Sequence, residues 1–153
     1  MKAPVRHYWD AQAFGGWLGG NKKQAEVCRN VLEAAQNGEV QLVTSALSLV
    51  QIVKPIGESG LEDEKLDTLQ RFFLNSFILI RPLDRETAQL AQKLLLEHPA
   101  LHLEQAIHAA TALNGGIRIL ETFDPGLLAL HNQIGQPPLI IRLPYLSRQI
   151  PLF

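Results

Sequence analysis

The stretch LHLEQAIHAATAL, Leu101 to Leu113, predicts a helix whose apolar positions Leu103, Ala106, Ile107, Ala110 and Leu113 recur at spacings of three and four. Ala and Leu dominate it, and neither Pro nor Gly interrupts it. Near its start, where a helix best tolerates negative charge, stands the uncharged amide of Gln105, one residue after Glu104. Downstream, "NGG" ends the helix and IRILE, Ile117 to Glu121, predicts a strand. "TFDPG" then turns the chain into a short helix from about Leu127 to Leu130. Upstream, Asp84 to Glu97 predicts a helix with Leu90, Ala91, Leu94 and Leu95 facing in, and FILIR, Phe77 to Arg81, a strand before it.

The same alternation runs back to the start of the chain. VRHYW, Val5 to Trp9, predicts a buried strand that Asp10 ends, and FGGWLGGN predicts a loop with paired glycines. Lys22 to Gln36 predicts a helix closed by Asn37 and Gly38, and VQLVT, Val40 to Thr44, a second strand. Ser45 or Thr44 then caps a short apolar helix, ALSLVQIV, which Pro55 is expected to stop. From Glu58 to Phe73 the pattern gives an acidic-fronted helix with Leu61, Leu66, Leu69, Phe72 and Phe73 as its buried side. Its cluster Glu58, Glu62, Asp63, Glu64 and Asp67 suits a solvated helix start. The Pro-punctuated PPLIIRLPYLSRQIPLF, Pro137 to Phe153, reads as an edge strand or a docked tail.

Strands alternating with helices imply a mostly parallel sheet of about four strands, covered on both faces. The 153 residues suit one domain spanning 1–153, with its core at about 5–130 and an apolar tail at 131–153. Ligands of such sheets bind beyond the carboxyl ends of the strands. Asp10, Thr44 with Ser45, and Thr122 with Asp124 all fall at those ends. Acidic groups there point to a hard divalent cation such as Mg²⁺.

Composition excludes several classes. Apolar residues make up 46% and charged residues 19%, which argues against disorder, and a formal net charge of -1 gives no global signal for nucleic acid. Cys28 is the single cysteine, placed in a helical pattern as a small buried hydrophobe, so no internal disulfide forms. FGGWLGG lacks the Lys and Ser/Thr of a phosphate-cradling loop. His7, His98, His102, His108 and His131 show no zinc spacing and read as structural or exposed, and Lys22 and Lys23 as exposed charges. No charged-then-apolar leader opens the chain, and no apolar run reaches the ~18 residues of a membrane span. A soluble, cytoplasmic protein is expected.

SALSLVQIV after a strand, LEQAIHAATAL on a helix and RILETFDPGLLAL closing the core resemble the PIN-domain family, most closely the VapC-type ribonuclease toxins of toxin–antitoxin pairs. The resemblance covers roughly Val5 to Leu130, and YWD at Tyr8 to Asp10 is correctly placed within it. It implies a three-layer α/β/α sandwich. It also implies four carboxylates that bind Mg²⁺ or Mn²⁺ and generate a metal-bound hydroxide for attack on an RNA phosphate. By position the first carboxylate is Asp10 and the last Asp124, with Ser45 and Thr122 in support. The second belongs six residues after Ser45, where this chain has Gln51, and the third just before AIHAATAL, where it has Gln105.

Gln105 thus stands where the family keeps an aspartate, and Gln51 where it keeps a glutamate. Ala11 replaces the usual hydroxyl residue after the first acid. Glu104 does not substitute, because one helical step turns it about 100° away. With Asp10 and Asp124 as the remaining metal ligands, Mg²⁺ or Mn²⁺ binding is expected to be weak or absent, since charge selects such cations. The implied function is an impaired nuclease acting by RNA or protein binding. The alternative is an active metal-dependent endoribonuclease cleaving single-stranded RNA. The resemblance further implies an antitoxin-like partner and a homodimer.

Overall fold

A computed structural model of the chain describes residues 3–58 and 63–145. Five parallel strands form one sheet in the order β3-β2-β1-β4-β5. They are β1 (Val5–Trp9), β2 (Val40–Ser45), β3 (Ile78–Arg81), β4 (Ile119–Glu121) and β5 (Ile140–Arg142). Successive side chains of β1 point to opposite faces: Tyr8 joins one apolar cluster and Trp9 the other. The Tyr8 face packs against α5 (Arg85–Glu97), α6 (Leu103–Asn114) and α7 (Pro125–Leu128). The Trp9 face packs against α1 (Ala11–Gly19), α2 (Lys22–Gln36), α3 (Ala46–Glu58) and α4 (Asp63–Phe72). This is the three-layer α/β/α arrangement expected from the alternation, with one strand more than about four.

The fifth strand comes from the tail. Its register, Ile119 to Ile140 and Glu121 to Arg142, places it beside β4 as a sheet edge, and residues beyond 145 lie outside the described residues. Glu121 anchors it. Buried completely, this carboxylate accepts from His7 Nδ1 at 3.0 Å and Trp9 Nε1 at 2.9 Å on one oxygen. Its other oxygen accepts from Arg142 Nε at 3.1 Å and the Tyr145 amide at 3.2 Å. The Arg142 guanidinium also lies 3.9 Å over the Tyr145 ring.

Three local expectations are corrected. The predicted FGGWLGGN loop is helix α1, with Gly15, Gly16 and Gly19 inside it. Asp10 starts that helix by accepting from the Ala13 amide at 2.9 Å, and a Cβ at Gly16 would overlap the Phe123 ring. Glycine here serves close packing, not a turn. Pro55 does not stop α3, which continues to Glu58; proline removes one N–H from the ladder without ending this helix. Leu103 is 67% exposed, and α6 buries Gln105, Ala106, His108, Ala109, Ala110, Thr111 and Ala112 instead. That helix lies between the sheet and α5, so its buried surface is wider than one apolar stripe. Leu69 in α4 and Phe73 just after it are buried while Leu66 and Phe72 are half-buried; Leu61 and Glu62 lie outside the described residues.

Candidate functional site

Asp10 ends β1, and Thr122 and Asp124 follow β4, so parallel neighbours deliver all three to the carboxyl edge of the sheet. Thr122 joins the two acids. Its hydroxyl donates to Asp10 Oδ2 at 2.5 Å and accepts from the Asp124 amide at 2.9 Å. Asp10 Oδ1 is taken by the Ala13 amide, so both oxygens of this buried carboxylate are engaged. Burial pushes its pKa up to about 7, opposed by the Thr122 and Ala13 hydrogen bonds and reinforced by the charge of Asp124.

Gln105 occupies the third residue of α6, a position from which a long side chain reaches back to the helix start. Its carbonyl accepts from the His102 amide at 2.8 Å. Its amide nitrogen donates to Asp124 Oδ1 at 3.1 Å and Oδ2 at 2.9 Å. Asp124 Oδ1 also accepts from the Gly126 amide at 2.9 Å, which opens α7. One amide side chain therefore both caps α6 and lies on the carboxylate of Asp124. Gly126 makes room for it, because a Cβ there would overlap the Gln105 nitrogen.

Gln51, on α3, takes a separate partner. His108 Nε2 donates to its carbonyl at 2.7 Å, and His108 Nδ1 meets the Tyr8 hydroxyl at 2.7 Å. Burial lowers the His108 pKa to about 4, the Asp124 charge opposing, which keeps the ring neutral. Tyr8 is pushed well above its ordinary pKa by burial and by Asp10. Ser45 is buried and its hydroxyl accepts from the Leu47 amide at 3.0 Å, closing the start of α3. Thr44 donates to the Trp9 carbonyl at 2.6 Å and pairs with Ser48 at 2.7 Å.

Asp10, Gln51, Gln105, His108 and Asp124 together line one cleft of about 1100 Å³. A family model for the PIN domain matches residues 8–131. The chain belongs to the PIN-domain family. Among solved structures, the PIN fold of this chain is similar to the Mycobacterium tuberculosis toxin VapC20, which cleaves the sarcin–ricin loop. That match has a TM-score of 0.66 at 12% identity, over 80% of this chain and 93% of that one. It is also similar to a toxin–antitoxin complex from Klebsiella pneumoniae, at TM-score 0.61 and 20% identity over 80% and 90% of the two chains. VapBC2 of Rickettsia felis bound to promoter DNA gives TM-score 0.61 and 15% identity over 90% and 97%. At these identities the likeness is one of fold. No curated protein sequence matches significantly.

Nucleases of the PIN family generally use divalent metal, and the residues of this PIN domain fit such an ion poorly. No group of three or more His, Cys, Asp or Glu able to hold a metal occurs among the described residues. Both Asp124 oxygens accept from Gln105, both Asp10 oxygens are engaged, and the Gln51 carbonyl is occupied by His108. Hard cations need several charged oxygen donors, and at Gln51 and Gln105 the cleft offers neutral amides whose carbonyls accept from His108 and from the His102 amide. Ala11 stands half-buried at the start of α1 and offers no hydroxyl. Glu104 is exposed, yet it lines the same cleft as Asp10 and Asp124, so the one-step turn along α6 does not carry it away from the site as expected.

Of the site residues expected from sequence, Asp10, Gln51, Gln105 and Asp124 line this cleft, with Thr122 bonded behind Asp10; His108, expected to be structural or exposed, is buried and lines it as well. A histidine on an apolar helix reads as structural. The signal that was available is its spacing, three residues after Gln105, which puts both on one face of α6.

Proposed function

We propose that this PIN domain is a VapC-type protein that has lost metal-dependent RNA cleavage and acts by binding an antitoxin-like protein. The observation that carries the reading is the Gln105 amide seated on both oxygens of Asp124, where a nuclease needs a cation. Gln51 on His108 supports it from the other wall. The structural neighbours that are toxin–antitoxin complexes support a protein partner. So does the lining. Lys65 is the cation among the described residues around the cleft, against Asp10, Glu104 and Asp124, with Leu18, Ile52, Phe72 and Leu127 supplying apolar surface. RNA binding is driven by several cations that neutralise phosphates, and among the described lining residues Lys65 faces three carboxylates.

The test is cleavage of unstructured RNA with Mn²⁺ or Mg²⁺, beside an Asp10→Ala control. No metal-dependent cleavage above the control is expected. Cleavage that requires metal and vanishes in Asp10→Ala would establish the alternative, an active endoribonuclease.

A further inference from the structure

We propose that Glu121 is a positioning residue for the cleft: by holding the ends of β1, β4 and β5 together, it makes the C-terminal strand part of the frame that sets Asp10 and Asp124. This holds whether the cleft binds or cleaves, so it goes beyond the proposed function.

Trp9, Glu121 and Arg142 form one row across three strands, since Glu121 pairs in register with Trp9 of β1 and with Arg142 of β5. The row lies one residue before the cleft. Asp10 follows Trp9, and Thr122 follows Glu121. Glu121, completely buried, is bonded along this row in both directions. One carboxylate oxygen accepts from Trp9 Nε1 and the other from Arg142 Nε and the Tyr145 amide. The backbone repeats the link one residue on, where the Thr122 amide donates to the Arg142 carbonyl at 3.0 Å. From Thr122 the path is short, because its hydroxyl donates to Asp10 and accepts from the Asp124 amide. One carboxylate thus reaches Asp10 from the strand side through Trp9, and both acids from the loop side through Thr122. β5 is also held on the side away from β4, where the Ile141 amide donates to His131 Nδ1 at 3.0 Å.

A buried ion pair is a poor way to add stability, because desolvation offsets much of the attraction and apolar residues of similar volume often serve as well. Apolar side chains at 121 and 142 would still pack, but would not join an indole N–H, a guanidinium and a backbone amide at one point. Hydrogen bonds fix direction as well as distance, whereas apolar contact is non-directional. The position of this carboxylate, in the row next to the cleft, therefore suits geometry more than stability. Coupling of this kind is reciprocal: what loosens β5 loosens the cleft, and what orders one orders the other.

Two NMR measurements on the full chain test this. In wild-type hydrogen exchange, the amides of Ala13 and Asp124, bonded to Asp10 and Thr122, are expected to open as one unit with those of Ile140 and Tyr145. Opening of the tail amides while Ala13 and Asp124 stay closed would overturn the proposal, and this reading needs no variant to fold. Arg142→Met is then compared with Arg142→Lys, which keeps a donor for Glu121. The Ala13 and Asp124 amide protons are expected to shift upfield in Arg142→Met, as their hydrogen bonds lengthen, and to return in Arg142→Lys. The Thr87 amide, bonded in the same way to Asp84 at the start of α5, is expected to stay in place in both. A lower melting temperature for Arg142→Met with unmoved Ala13 and Asp124 protons would overturn the proposal, leaving the pair a purely structural contact. RNA cleavage by the wild type would overturn the proposed function alone, since neither measurement reads cleavage.

Discussion

Gln105 and Asp124 lie nineteen residues apart in the chain and meet at 3.1 and 2.9 Å, the amide of one spanning both oxygens of the other. The same Gln105 closes the start of α6 through the His102 amide. Substituting Gln105→Glu keeps the length and the cap but sets a carboxylate against Asp124. Without metal this variant is expected to lose about 1–3 kcal/mol, the cost of replacing a hydrogen bond to a charge by like-charge contact. Mn²⁺ should raise its melting temperature and leave the parent unmoved, by mass action on the folded state. Equal Mn²⁺ shifts in the two proteins would show that position 105 does not face a cation site.

Gly126→Ala tests the same contact from the other side. A methyl there has to displace the Gln105 amide, so urea unfolding is expected to show a loss of about 1–3 kcal/mol, typical of overpacking. In Gln105→Ala the space is open and the added methyl should cost almost nothing. Equal costs in the two backgrounds would mean that Gly126 is needed for its backbone alone.

Asp10 and His108 give the stability opposite pH slopes. The Asp10 pKa rises on folding from 3.8 to about 7, so between those values the folded chain holds a proton that the unfolded chain has released. Its effect is a loss of stability as pH increases. The His108 pKa falls on folding from 6.5 to about 4, so the unfolded chain holds the extra proton and stability grows with pH. The two slopes, each at most about 1.4 kcal/mol per pH unit, nearly cancel between about pH 4.5 and 6.5. Unfolding free energies across that window should be flat for the parent, rise with pH for Asp10→Asn and fall for His108→Gln. Parallel profiles for all three would refute both assignments.

Glu121→Gln removes the charge that Arg142 faces. Breaking one partner of a buried pair costs about 3–5 kcal/mol; because the Arg142 side chain is 21% exposed, about 2–3 kcal/mol is expected here. Urea unfolding of Glu121→Gln, Arg142→Met and the double variant checks it. The double should recover part of the loss, and strict additivity would mean the two groups do not interact.

How much of this was legible in the sequence differs from element to element. The helix Lys22–Gln36 emerges at its observed bounds, since its apolar period and its Asn37–Gly38 stop agree. α1 did not, because four glycines outweigh a period of three to four when only local propensity is read; the reason for Gly16 is Phe123, 107 residues away. The tail left two readings open, and the choice of a strand depends on Glu121, a charged residue that composition alone would set at the surface. In the cleft, family resemblance pointed to Gln51 and Gln105 as expected departures, and both line it. What each amide does instead depends on His108 and Asp124, and no spacing in one sequence reports which side chain a glutamine will choose.

The segment from Thr122 to Asp124, with the start of α7, is a loop by trace and a rigid body by bonding. The Thr122 amide donates to the Arg142 carbonyl at 3.0 Å, the Asp124 amide to the Thr122 hydroxyl, and the Gly126 amide to Asp124. Alternate amides are thus tied before any partner arrives. Ordering a loose residue costs about 1–2 kcal/mol of conformational entropy. A partner that docks on this floor orders only itself, and its association should carry the entropy and exchange protection of a lock met by a flexible key.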